Sequence, residues 1–84
     1  MNTTTALRYR TRQQILAALR LAGGSLTVWQ IRDTLAIPPE REWQSWAYMG
    51  QMVDEYGLCR RARWGVYTLT EAGWRQQDWH QVAG

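Results

Sequence analysis

The side chains with chemistry to offer in this 84-residue chain are its arginines and its aromatic rings. Every basic side chain is an arginine, ten in all, and there is no lysine. A guanidinium suits two-pronged contact with a phosphate or a guanine edge better than an ammonium does. The densest group is Arg60, Arg61 and Arg63, followed directly by Trp64. Arg8, Arg10 and Arg12 form a second group near the N-terminus. The net charge of +3 is compatible with nucleic acid and equally with a solvated basic surface. All-arginine usage is also what a biased genome composition would produce. Six Trp and four Tyr, with no Phe, supply much of the apolar bulk.

Catalytic chemistry has no comparable footing. His80 is the single histidine and lies near the C-terminus. No metal-ligand spacing, nucleophile constellation or phosphate-cradling glycine loop is present. Asp54-Glu55 reads as a solvated helix end. The lone Cys59 rules out an intrachain disulfide and reads as a small strand residue in a reducing compartment. The expectation is therefore no enzyme, no metal and no cofactor. No apolar run approaches the ~20 residues of a membrane span, and no secretory signal opens the chain, so a cytoplasmic location is expected.

The elements that must position these groups follow from caps and periodicity. Residues 1–10 are predicted as a flexible, Thr-rich arm, and residues 11–84 as one domain. Thr11 with Gln14 fits a capping box, which predicts a helix over 12–22 with Ile15, Leu16 and Leu19 as its apolar stripe. Gly23-Gly24 ends it. Ser25-Leu26 is long enough only for a minimal strand. Thr27 with Gln30 repeats the capping signal and predicts a helix over 27–36, burying Val28, Ile31 and Leu35. Pro38-Pro39 forces a rigid turn. A third helix is predicted over 39–56, with Trp46, Met49, Val53 and Tyr56 on one face and Met52 widening it. Glu40 and Glu42 sit in its first turn, where the helix dipole favours acids.

Residues 56–73 organise the remainder. Gly57 suits a left-handed helix cap. Residues 58–62 and 66–69 read as two strands around a Trp64-Gly65 turn. Val66 and Leu69, or Tyr67 in the other register, are expected to face inward. Alternation places Arg61 and Arg63 on one face of the first strand and Arg60 on the other. Thr70 caps a last helix, predicted over 71–80, with Trp74 and Trp79 as its large apolar groups. Trp29 and Trp43 lie off the stripes of their helices and are expected to pack together near the proline turn.

Three fragments carry a family resemblance. Leu26-Thr27-Val28-Trp29-Gln30-Ile31 resembles the opening of the second helix in winged helix-turn-helix domains. Met52-Val53-Asp54-Glu55-Tyr56-Gly57-Leu58 resembles the end of that family's recognition helix. Val66-Tyr67-Thr68-Leu69-Thr70-Glu71-Ala72-Gly73 resembles the strand-to-helix exit of many bacterial, archaeal and phage members. The resemblance covers residues 11–74 and implies an α+β, mostly α architecture: a three-helix core, a short β-hairpin wing and a C-terminal helix.

It also implies a function. The chain is expected to bind double-stranded DNA sequence-specifically, as a small transcriptional regulator of phage or plasmid type. The third helix enters the major groove in such domains, which assigns base contacts to Arg41, Gln44, Ser45 and Tyr48. The wing assigns phosphate or minor-groove contact to Arg60, Arg61, Arg63 and Trp64. Arg8, Arg10 and Arg12 are placed to meet the DNA backbone from the side. A homodimer through the C-terminal helix, using Trp74 and Trp79, is a further expectation. Glu40 and Glu42 count against close approach to phosphates. The alternative reading is a protein-interaction module of the same fold, docking a partner through Trp-rich surfaces.

Overall fold

The computed structural model describes residues 7–76. The first helix, α1 (Tyr9–Leu21), buries Ile15, Leu16 and Leu19. It opens earlier than the Thr11–Gln14 signal. Leu7 is buried in the core, and its N–H donates to the Gln51 Oε1 at 2.9 Å. That anchor draws the next residues into the helix, and the first turn closes through the Arg12 N–H to the Arg8 carbonyl. Residues 7–10 thus pack with the helices that follow. At the other end, the Gly24 and Gly23 N–H groups return to the Leu19 and Arg20 carbonyls. This is a Schellman stop.

The Thr27–Gln30 box forms as expected. The Thr27 hydroxyl accepts from the Gln30 N–H, and the Gln30 side chain accepts from the Thr27 N–H. It caps α2 (Val28–Thr34), which is two residues shorter at its end than predicted. A second Schellman stop ends it, with Ala36 at a φ of 58° and the Ile37 N–H on the Arg32 carbonyl. Pro39–Arg41 then forms a single 3₁₀ turn before α3 (Glu42–Asp54).

The buried stripe of α3 is Ser45, Met49 and Met52. Met49 and Met52 are buried as expected, and Ser45 takes the place expected of Trp46, Val53 and Tyr56. Trp46 and Val53 are half-buried at the edge of the core, and Tyr56 is exposed. The whole helix is rotated so that Trp46 can lean on the hairpin that follows.

That hairpin is β2 (Cys59–Arg63) and β3 (Val66–Leu69). The short strand β1 (Ser25–Thr27) pairs antiparallel with β3, which gives a three-stranded sheet of order β1-β3-β2. Tyr67 and Leu69 face the core. Helix α2 buries Val28 and Ile31, and β3 buries Tyr67 and Leu69, so the sheet closes the open side of the helices.

Last comes α4 (Glu71–Arg75), capped by the Thr70 hydroxyl, which accepts from the Gly73 N–H at 3.1 Å. Gln76 is extended, so the helix stops well short of residue 80. Trp79 and His80 lie outside the described residues. Gly73 is buried against β2, where a Cβ would overlap the Leu58 carbonyl. Arg20 of α1 ties the segment down, donating to the Gly73 carbonyl at 3.0 Å and to the Gln76 carbonyl. The result is a small α+β domain, mostly helical, with one antiparallel sheet. None of its described helices is long and apolar enough to cross a membrane.

Candidate nucleic-acid interface

The turn of the hairpin gathers three tryptophans from three elements. Gly65 takes a φ of 77°, and a Cβ there would stand 2.9 Å from the Trp29 ring. Its carbonyl accepts from the Val28 N–H at 2.8 Å, which holds the turn over the start of α2. Trp29 and Trp46 meet edge to face, with centroids 5.9 Å apart and planes at 89°. Trp64 lies 5.5 Å from each. Such offset and edge-on contacts suit the ring quadrupoles. Trp64 nevertheless remains 78% exposed.

One carboxylate sets this cluster. Glu42 Oε2 accepts from the indole N–H of Trp29 and of Trp46, each at 3.2 Å. Its Oε1 accepts from Arg32 Nη1 at 2.9 Å. Glu42 is thus a positioning residue for the rings rather than a free acid at a helix start. The signal was present in the sequence as Glu42 and Trp46, four apart on one helix face. Its other two partners lie on α2 and have no local signature. Trp43, by contrast, is 50% exposed and takes no part in the ring cluster, so the expected Trp29–Trp43 pair is replaced by Trp29 with Trp46 and Trp64.

A half-open cleft of about 500 Å³ lies beside the rings, lined by Trp46, Arg61, Arg63, Trp64, Gly65 and Tyr67. Strand β2 forms the sheet edge here, and Arg60, Arg61 and Arg63 are all exposed. A bulge falls between Arg61 and Arg63: Arg61 pairs with Tyr67 and Arg63 with Val66. Those partners are adjacent on β3 and point to opposite faces. The expected sharing of one face by Arg61 and Arg63 is therefore broken by the extra residue, Ala62. Both arginines still border the cleft. Arg61 also stands 3.7 Å from Asp54, a pair in which both partners are exposed and which contributes little. Among the described residues, Arg60 and Arg63 have no acidic partner.

The four residues expected to read bases are dispersed. Arg41 is exposed on the 3₁₀ turn, and Gln44 is half-buried. Tyr48 packs against the core. Ser45 is fully buried, so its assignment to base contact is corrected: it lies on the buried stripe of α3 with Met49 and Met52. Its hydroxyl has no hydrogen-bond partner. The outward face of α3 instead carries Trp43, Ala47, Gly50 and Asp54, in steps of four, three and four.

Of the N-terminal arginines, Arg8 and Arg10 are exposed. Arg12 is committed elsewhere: its guanidinium lies 4.5 Å from the centroid of Tyr56 and 5.3 Å from that of Tyr9. Trp74 is 48% exposed, with its other side over Gly24. Cys59 is buried, and burial pushes its thiol up to about 12.

Comparison with protein-family models, with curated proteins and with solved structures finds no match to this chain.

Proposed function

We propose that this chain is a winged helix-turn-helix domain that binds double-stranded DNA as a small transcriptional regulator. The element order supports the reading: α1, β1, α2, a tight turn, α3 and a hairpin, with β1 added to the sheet beside β3. The observation that carries it is the exposed edge strand next to α3. It presents Arg60, Arg61 and Arg63 to solvent, and two of the three are unpaired among the described residues. Unpaired guanidinium groups on an exposed hairpin fit phosphate oxygens, which hold a protein in register on a duplex.

In this reading the wing arginines grip the backbone, Arg8 and Arg10 add contacts from the side, and the start of α3 approaches base edges. Arg41 suits guanine and Gln44 suits adenine. With Ser45 buried and Tyr48 packed inward, base recognition rests on few side chains. A large share of the affinity is then electrostatic and falls steeply with salt. Regulation would follow from occupying or marking a promoter, with no cofactor.

A second reading, a protein-interaction module, is favoured by one observation: Trp64 at the hairpin turn and Trp43 on α3 are large, exposed rings. A titration of isotope-labelled protein with duplex DNA at low and high salt separates the two. Amide shifts at Arg41, Gln44 and Arg61 that fade at high salt support DNA. Silence at all three at low salt defeats it.

A further inference from the structure

We propose that the cleft beside the hairpin turn holds one unpaired nucleotide of a DNA strand, with its base stacked on Trp64 and its phosphate held by Arg63 and Arg61. This goes beyond duplex binding, which needs no unpaired base. Three features of the cleft select that occupant.

The first is the free ring. Trp64 contacts Trp29 and Trp46 but keeps 78% of its surface in water. A ring that stays this exposed while resting on two others offers a flat apolar face to a partner ring, and it is held in place rather than loose. Its two neighbours are fixed through the Glu42 carboxylate. A preset aromatic platform loses little entropy when a second ring stacks on it.

The second is charge. Arg61 and Arg63 line the cleft, and no acid lines it. Two acids touch its lining residues: Asp54, 3.7 Å from Arg61 and well exposed, and Glu42, which accepts from Trp46 Nε1 and is paired with Arg32. An aromatic wall with two guanidinium groups is complementary to a ligand that is flat at one end and anionic at the other. The third is size. About 500 Å³ lies within the ~300–1,000 Å³ range of small-ligand sites. A base inside a duplex has both faces covered by its neighbours, so along a strand it is an unpaired base, and at a duplex end the last pair, that can offer a face to Trp64.

The test uses the full chain and a fluorescein-labelled duplex of fixed sequence, either blunt or carrying a short unpaired thymidine tail. Anisotropy at one salt concentration reads both affinities. The tailed duplex should bind about tenfold more tightly than the blunt one. Trp64→Ala, and separately Arg63→Ala, should bring that ratio towards one, with circular dichroism confirming that each variant folds. Equal affinity for tailed and blunt DNA overturns the inference and leaves the duplex reading standing. Binding of the tail without any binding of blunt duplex supports the inference and defeats the duplex reading. A ratio that survives Trp64→Ala overturns the stacking assignment. Free thymidine monophosphate that displaces the tailed DNA at matched concentration overturns the assignment to a strand.

Discussion

Glu42 joins more of this molecule than any other side chain near the hairpin, through Arg32, Trp29 and Trp46. Replacing it by Ala leaves two indole N–H groups without their acceptor and Arg32 with Asp33 as its remaining acidic partner. Glu42→Ala should lower stability by about 1–3 kcal/mol, read as a fall in the urea midpoint with a change in tryptophan emission. An unchanged emission spectrum would mean that the carboxylate does not set the rings. Cys59 offers a pH prediction. Its thiol is raised from 9.0 to about 12 by burial. The unfolded chain therefore loses this proton at lower pH than the folded one. The thiol's contribution is complete below about 9 and is lost as pH rises from there towards about 12, at up to ~1.4 kcal/mol per pH unit. Stability of the wild type should fall faster than that of Cys59→Ala between pH 9 and 11. The two curves running parallel would contradict the burial effect. In native protein near pH 8 the thiol should also resist thiol-specific reagents.

Elements show how one local pattern can have two outcomes. Thr27–Gln30 and Thr11–Gln14 are the same signal three residues apart, yet only the first is a helix start. Thr27 ends β1, and pairing with Val66 holds it extended, at φ −82° and ψ 159°. Thr11 has no such restraint, and the buried Leu7 extends α1 past it. The stop of α2 was misplaced for a related reason. Ala36 occupies a left-handed position that usually selects glycine. Nothing in the sequence marks it, because alanine reads as a helix former. Ala36→Gly should therefore stabilise the protein by about 1 kcal/mol, measured as a rise in the thermal or urea midpoint. Ala36 is exposed, so no lost packing offsets the gain. A destabilised variant would show that the left-handed cap is not formed in solution.

Arg60 and Arg63, without an acidic partner among the described residues, stand on the edge strand next to α3. Neutralising phosphates releases condensed counterions, so each such contact adds about one unit to the slope of log affinity against log salt. The double variant Arg60→Ala/Arg63→Ala should reduce that slope by about two units on a blunt duplex. A slope unchanged by the double substitution would remove the wing from the interface. Much of this architecture was legible in the sequence. The order of the elements, the cap at Thr27 and the stop at Gly57 follow from signals that act within a few residues. The Schellman turn at Ala36 was not legible because alanine reads as a helix former, the bulge at Ala62 because no residue type marks it, and the facing of α3 because it depends on Trp29 of another helix. The sequence by itself determined which elements form and in what order, through caps, glycines and prolines whose effects are local. Only the tertiary structure decided which way α3 faces. Trp46 is drawn towards Trp29 and Trp64, which turns Ser45 into the core and opens a cleft beside the exposed arginines.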